Sequence, residues 1–111
     1  MFGLSEKTYK KILEITQKYN VQFILFGSRA RGDYKENSDI DIAVQDAVDE
    51  KMEYKIRNDF DLLDIPYTVD LVFIDSKIKE ELRQSIIKEG VNLKWIGLNK
   101  KEKILIMQLW D

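Results

Sequence analysis

Hydrophobic and polar positions along the chain form successive blocks, and each block predicts a helix or a strand. Apolar side chains at Ile12, Ile15 and Tyr19 recur near the helical period behind Ser5, a favourable N-cap, and predict a first helix. The run 21–26 is short, mostly apolar and rich in β-branched and aromatic side chains, which is typical of a buried central strand. The chain therefore opens with a helix followed by an interior strand.

Polar residues interrupt this pattern before it resumes. Residues 29–38 are polar and contain a glycine, so they predict a turn or short helix and then a loop. In residues 39–45 two isoleucines alternate with two aspartates, which predicts a strand with one apolar face. The remaining pattern predicts a helix over 48–63 and a strand over 67–74. A further helix follows, capped by Asp75 or Ser76 and ended by Gly90. The chain then continues with a strand over 91–96 and a last helix that begins with an Asn99–Glu102 capping box.

The order of these elements predicts an α+β fold in which helices cover a mixed sheet. The sequence contains no internal repeat and no low-complexity segment. We therefore expect one domain over residues 1–111, with a core at about 5–96 and a C-terminal helical tail over 98–111.

The amino-acid composition limits which functional groups are available for catalysis and metal binding. The chain has neither cysteine nor histidine, which excludes thiolate zinc sites, cysteine nucleophiles and a histidine general base. Catalysis would therefore depend on carboxylates, hydroxyls, Lys, Arg and backbone amides, with an oxygen-bound metal such as Mg²⁺. The chain has 18 basic and 20 acidic residues, and the resulting net charge of −2 does not favour stand-alone nucleic-acid binding.

Targeting signals are missing from the pattern. The first residues lack the basic and then apolar layout of a signal peptide. No apolar run approaches the roughly 20 residues that a membrane span needs. We therefore expect a cytoplasmic protein with no membrane partner.

Two aspartates stand at alternate positions of the second predicted strand. Asp39 and Asp41 leave the same face of that strand and could approach one ion together. Two carboxylates so close repel each other, an arrangement that favours a bound divalent cation. The alternative is an edge strand with an acidic outer face.

A glycine and a small hydroxyl follow the first predicted strand. Gly27 would let the backbone approach an anion closely, and the Ser28 hydroxyl could donate a hydrogen bond to it. Arg29 and Arg31 would add positive charge for a phosphate group. An ordinary strand-to-loop turn with solvated arginines is the other interpretation.

An acidic residue also interrupts the apolar strand predicted over 67–74. Asp70 leaves the strand on the side opposite Val69, Leu71 and Phe73. Its carboxylate is costly to bury unless it is paired or binds a metal, and the alternative is a strand face open to solvent. A neighbouring strand could bring Asp70 beside Asp39 and Asp41.

Together these motifs resemble a known family signature. The run Gly27–Gly32 (GSRARG), the run Ser38–Val44 (SDIDIAV) and the strand acid Asp70 are similar to the DNA polymerase beta-like nucleotidyltransferase superfamily. More narrowly, they resemble the minimal nucleotidyltransferases (MNT proteins) of prokaryotes, and the resemblance covers about residues 5–96.

The resemblance implies roles for the individual residues. It implies a nucleotide site at Gly27, Ser28, Arg29 and Arg31, and a site for two Mg²⁺ ions at Asp39, Asp41 and Asp70. Asp41 would bridge both ions, while Asp70 would complete the ion on the attacking side and accept the proton of the incoming hydroxyl. The implied reaction is transfer of a nucleoside monophosphate with release of pyrophosphate.

The partner, too, is implied by the family. Minimal members are encoded beside a HEPN-domain ribonuclease toxin and act as its antitoxin, adding AMP from ATP to a tyrosine. A polymerase is not expected, since few residues follow Trp95 to form a substrate domain. Two alternatives stay open: a binding module that silences its partner by covering it, and a nucleotidyltransferase acting on a small molecule such as an aminoglycoside.

An apolar stripe marks the last predicted helix. It could pack on the sheet, or it could form a contact with a partner or with a second copy of the chain. The stripe consists of Ile104, Leu105, Leu109 and Trp110.

Overall fold

The computed structural model describes residues 1–75, 77–93 and 101. In this part of the chain, helices and strands follow one another in the predicted order. The helices are α1 (Glu6–Lys18), α2 (Gly27–Arg31), α3 (Glu50–Asp61) and α4 (Glu80–Glu89). The strands are β1 (Phe23–Phe26), β2 (Ile40–Val44), β3 (Val69–Phe73) and β4 (Val91–Asn92).

The strands form one mixed sheet in the order β3-β2-β1-β4. β1 pairs antiparallel with both β2 and β4, whereas β2 and β3 run parallel. The predicted α+β class with a mixed sheet is therefore confirmed. Because β2 lies inside the sheet, the interpretation of residues 39–45 as an edge strand is wrong.

The two faces of the sheet carry unequal cores. On one face, α1 and α3 bury the larger cluster around Phe23, Ile42 and Ile56, each with 0% exposure. On the other face, α4 places Ile86 over Phe26 and Ala43 in a smaller cluster. Alternate residues of each strand supply the two clusters, as the period of two requires.

Local capping sets the beginnings of α1 and α3. The Ser5 side chain accepts a hydrogen bond from the Thr8 amide, which confirms the predicted cap. Asp49 caps α3 in the same way, accepting from the Met52 amide at 2.7 Å. The helix predicted over 48–63 is shorter than expected for this reason.

The prediction for the start of α4 is wrong. Asp75 does not cap the helix; its Oδ1 accepts from the Lys77 amide at 2.8 Å and so closes a turn. The helix begins at Glu80 after Lys79, which provides no side-chain cap. Ser76 and the predicted final helix, apart from Lys101, lie outside the described residues, as do residues 94–96 of the predicted last strand.

None of the described helices is long and apolar enough to cross a membrane.

Candidate active site

Aspartates from neighbouring strands lie side by side at one end of the sheet. The parallel register of β2 and β3 places Asp41 directly opposite Asp70. Asp39 precedes Asp41 by two residues at the entry to β2, so it belongs to the same face. The fold thus brings together the three aspartates that the sequence singled out.

Gly27 allows this cluster to lie close to the end of β1. Phe26, the last residue of β1, pairs with Asp41 of β2, and α2 begins at the next residue. Gly27 has a φ of 75°, in the left-handed region, and a β-carbon there would overlap Asp41 Oδ2 and lie 3.1 Å from Asp41 Cγ. Only a glycine leaves room for the Asp41 carboxylate against this backbone.

The cluster concentrates negative charge. Burial raises the pKa of Asp41 above its ordinary value, and the charges of Asp70 and Asp39 raise it further. The positive charge of Arg31 acts in the opposite direction and lowers this pKa. The electrostatic coupling shows that all four groups share one neighbourhood.

No described residue compensates these carboxylates directly. Within residues 1–75, 77–93 and 101, neither an ion pair nor a hydrogen bond engages the side chains of Asp39, Asp41 and Asp70. The same part of the chain contains no group of three or more His, Cys, Asp or Glu side chains placed so that together they could hold a metal ion. The carboxylates are therefore close and unpaired, without forming a closed coordination shell.

Ser28 stands next to the cluster in the first turn of α2. Its backbone carbonyl accepts from the Gly32 amide at 2.9 Å and closes the short helix. Gly32 ends α2 with a φ of 95°. The Ser28 hydroxyl makes no hydrogen bond to another described residue, which leaves it available to a ligand.

Arg31 joins α2 to α4 at the edge of the site. Its Nη1 donates to Glu89 Oε2 at 3.0 Å and its Nε lies 3.3 Å from Asp33 Oδ1. These hydrogen bonds raise the pKa of Arg31, with the bond to Glu89 contributing most. The sequence did not single out Glu89, because nothing in its pattern relates two residues that are 58 positions apart.

Arg29 does not reach the cluster in the way that the resemblance implied. Its side chain is 1% exposed, and its guanidinium donates to the carbonyl oxygens of Phe2, Glu36 and Ser38. This guanidinium faces the protein interior and has no free surface for a phosphate group. The expectation that Arg29 contacts the nucleotide conflicts with this placement.

A small cleft opens beside Asp70 along the free edge of β3. The cleft has a volume of about 160 Å³. It is lined by Arg57, Phe60, Asp61, Val69, Asp70 and Leu71. This lining places the cleft on the α3 side of β3, whereas the Asp70 carboxylate leaves the opposite face of the strand together with Asp41.

Comparison with known proteins agrees with this geometry. Residues 10–95 match the family described as "Polymerase beta, Nucleotidyltransferase". No curated protein matches the sequence significantly.

Solved structures share the fold. A toxin-antitoxin structure with AMP-PNP is 27% identical, with a TM-score of 0.57 over 87% of this chain and 78% of that one. The tri-AMPylated HEPN toxin of Shewanella oneidensis in complex with its MNT antitoxin gives 20% identity and a TM-score of 0.53, over 96% of this chain and 87% of that one. At that identity the second likeness concerns the fold alone. Because the family match spans most of the sequence, the chain belongs to the polymerase beta family and is a nucleotidyltransferase.

Proposed function

We propose that this protein transfers AMP from ATP to a hydroxyl group, that of a tyrosine, on a partner HEPN toxin and thereby acts as its antitoxin in the cytoplasm. The observation that carries the proposal is the register of β2 and β3, which sets Asp41 opposite Asp70 and against Gly27. A toxin-antitoxin structure with AMP-PNP, 27% identical, supports the choice of a toxin partner and an adenine nucleotide. A tri-AMPylated HEPN toxin in complex with MNT antitoxin shares the fold and suggested the acceptor class for this proposal.

The donor groups fit magnesium. Carboxylate oxygens are hard ligands that Mg²⁺ prefers, and the chain has no histidine or cysteine to favour a softer metal. The pKa of Asp41 is raised by burial and by the neighbouring charges, a crowding that a divalent cation would relieve. Asp39, Asp41 and Asp70 would hold the metal, which when bound neutralises charge on the phosphates and activates the attacking oxygen.

The residues of the chain position both substrates. The Gly27–Ser28 turn holds the triphosphate beside the Asp41 carboxylate, which lies against Gly27, and the Ser28 hydroxyl donates a hydrogen bond to a phosphate oxygen. Arg31 offsets the negative charge of the phosphates from the edge of the site. The acceptor side chain of the partner approaches the exposed Asp70 on the face of β3 that carries its carboxylate.

The reaction forms one bond and breaks another at the α-phosphorus. The acceptor hydroxyl oxygen attacks this atom while its bond to the bridging oxygen breaks and pyrophosphate leaves. Asp70 takes the hydroxyl proton, which its exposed position on β3 permits. The products are an O-adenylylated side chain and pyrophosphate.

The test uses the full chain, Mg²⁺ and α-labelled ATP, with and without the co-encoded neighbouring protein. We expect label on the partner with wild type and loss of this label with the double variant Asp39→Ala, Asp41→Ala. Asp64→Ala is the matched control, because Asp64 is exposed and, among the described residues, its backbone carbonyl accepts from Lys11 Nζ at 2.8 Å while its side chain has no partner.

The other outcomes point elsewhere. A partner that binds and is silenced without label from any nucleotide would mean that the protein acts by covering it. Label on a purified small acceptor with no partner present would indicate a small-molecule substrate. Label on the partner that survives the double variant would contradict the assigned site.

A further inference from the structure

Arg29 is an unusual charge in this fold. At 1% exposure it is among the largest fully buried side chains of the described residues. A buried cation is costly unless its charge and its N–H groups find partners. None of the described carboxylates forms an ion pair with Arg29.

Backbone carbonyls take the place of a counter-ion. Ser38 O accepts from Arg29 Nε at 3.1 Å and from Nη2 at 2.8 Å. Phe2 O accepts from Nη1 at 2.9 Å, and Glu36 O accepts from Nη2 at 3.3 Å. This fork of donors is a property of the planar guanidinium that a lysine does not have.

The Arg29 guanidinium lies over two tyrosine rings. Its carbon lies 5.1 Å from the centroid of Tyr34 and 4.7 Å from that of Tyr67. Gly3 packs over the same group, since a β-carbon there would overlap Tyr34 and lie 3.0 Å from Arg29 Nη1. The hydrogen bonds, the two rings and the close approach of Gly3 together fix the orientation of the side chain.

The partners of Arg29 belong to segments that meet at the candidate active site. Arg29 follows Ser28 in α2, whereas Ser38 immediately precedes Asp39 at the entry to β2. Tyr67 lies two residues before β3, the strand that carries Asp70. One side chain thus joins the predicted phosphate-binding turn to the strands that bear the carboxylates.

We propose that Arg29 is a positioning residue for the metal site: it fixes the Ser38–Asp39 backbone relative to Ser28, so that the Asp39 carboxylate faces the ion shared with Asp41. The inference rests on the proposed function, and it replaces a direct contact between Arg29 and phosphate. Its distinctive consequence is that loss of the guanidinium weakens metal binding even when no nucleotide is present.

The test compares Arg29→Lys with wild type by titrating the full chain with Mn²⁺ and observing the ion by electron paramagnetic resonance. Residues that orient metal ligands typically change metal affinity about 10- to 100-fold when replaced, and we expect a loss in this range. The amide resonance of Asp39 should shift in the same variant before any metal is added. Where transfer can be measured, kcat should fall more than KM for ATP rises.

Two controls separate positioning from stability. Arg83 in α4 donates a bond of the same kind, from Nη2 to the Asp75 carbonyl at 2.8 Å, and among the described residues it shares no partner with Arg29, so Arg83→Lys is the first control. Ile12→Val removes a methylene from the core under α1 and provides a loss of stability without any change at the site. Both variants should keep the Mn²⁺ affinity of wild type.

If Arg29→Lys does not fold, Tyr34→Leu provides a second test. It removes one of the two aromatic rings that contact the Arg29 guanidinium and should weaken Mn²⁺ binding several-fold.

The outcomes are distinct. Unchanged Mn²⁺ affinity and an unchanged Asp39 amide in Arg29→Lys would overturn the proposal, as would a wild-type chain that binds no Mn²⁺. A rise in KM for ATP alone, with metal affinity intact, would also overturn it and restore a contact with phosphate. Weaker Mn²⁺ binding in the variant, with no transfer to a partner by wild type, would support the positioning role and reject AMP transfer as the proposed function.

Discussion

At the scale of single residues, Gly27 controls how closely the chain can pack around Asp41. We predict that Gly27→Ala destabilises the protein more than Gly32→Ala. Both glycines have positive φ, 75° and 95°, a left-handed conformation that costs an alanine about 1–2 kcal/mol at either position. At Gly27 the new methyl group must also displace Asp41, which adds about 1–3 kcal/mol, and urea unfolding of both variants measures the difference.

Gly32 is a matched control, because a β-carbon there meets nothing within 4 Å. Asp41→Ala in the Gly27→Ala background should recover part of the lost stability, since it removes the carboxylate that the methyl group displaces. Equal destabilisation by the two glycine substitutions would contradict the close approach.

Asp41 itself should make the free protein less stable at neutral pH. Burial, and then the charges of Asp70 and Asp39, raise its pKa above the ordinary value of 3.8. Between 3.8 and the raised pKa the folded chain binds more protons than the unfolded chain, so the free energy of unfolding falls as pH rises. At neutral pH the ionised carboxylate therefore opposes folding.

We predict that Asp41→Asn raises Tm at pH 7 in the absence of divalent cations. The gain should shrink as pH falls towards 3.8 and below, where Asp41 is protonated in folded and unfolded chains alike. Thermal unfolding from pH 3 to 8 measures this, with Asp64→Asn as the control for an exposed aspartate. A Tm of Asp41→Asn below that of wild type at pH 7 would contradict the prediction, because it would mean that the ionised carboxylate stabilises the fold.

At the scale of elements, α2 is tied to α4 through Arg31 and Glu89. The two side chains are 42% and 25% exposed, so solvent screens their ion pair and it should contribute little to stability. Arg31 nevertheless lowers the pKa of Asp41, which shows that its charge reaches the carboxylate cluster. Its effect on ligand binding should therefore exceed its effect on folding.

We predict that Arg31→Gln weakens ATP binding about tenfold, equivalent to about 1.4 kcal/mol, while Tm changes little. Isothermal titration with ATP and Mg²⁺ measures the affinity. Arg83→Gln, which removes an arginine 3.6 Å from Glu80 on α4, should bind as wild type does. Glu89→Gln keeps the Arg31 charge and should bind at least as tightly. Unchanged affinity in Arg31→Gln would exclude Arg31 from the phosphate site.

Sequence patterns predicted these elements where short-range interactions determine them. Ser5 caps α1 through a residue three positions away, and the alternation at 39–45 depends only on neighbours. Asp75 misled the prediction because an aspartate can cap a helix or close a turn, and here it accepts from Lys77. Both uses have the same local signature.

Long-range geometry was beyond such patterns. The sequence indicated that Asp70 could lie beside Asp41, but only the parallel register of β2 and β3 makes them opposite. The acceptors of Arg29 are backbone carbonyls, which every residue has, so no residue type reveals them. The signature GSRARG therefore suggested a phosphate contact for a side chain that faces inward.

At the scale of the whole molecule, one face of the sheet carries most of the buried core and the other face carries the candidate active site. The face under α1 and α3 holds the larger buried cluster, whereas Asp41 and Asp70 leave the opposite face with Ala43 and Val72. Such an arrangement concentrates uncompensated charge on the less heavily covered side. Binding of a metal and nucleotide should therefore stabilise the entire fold, because it relieves the repulsion between carboxylates that the folded chain alone leaves uncompensated.

We predict that ATP with Mg²⁺ raises Tm strongly and that neither component alone does so to the same extent. At 100 times its Kd, a ligand that binds only the folded state adds about 2.7 kcal/mol. For a domain of this size, at about 4–8 °C per kcal/mol, Tm should rise by roughly 10 °C or more. Thermal unfolding with ATP, GTP, CTP and UTP in turn would also identify the preferred base.

The double variant Asp39→Asn, Asp41→Asn is the informative control, because it should be more stable than wild type without ligand and yet gain little from ATP with Mg²⁺. The variant gains stability without ligand and loses the gain from ligand for one physical reason: Asp41, whose carboxylate opposes folding, is also a group that the metal requires. If the variant gained as much from ATP with Mg²⁺ as wild type, the nucleotide would bind elsewhere. If wild type gained nothing from any nucleotide while its partner raised Tm, the chain would act on that partner by binding alone.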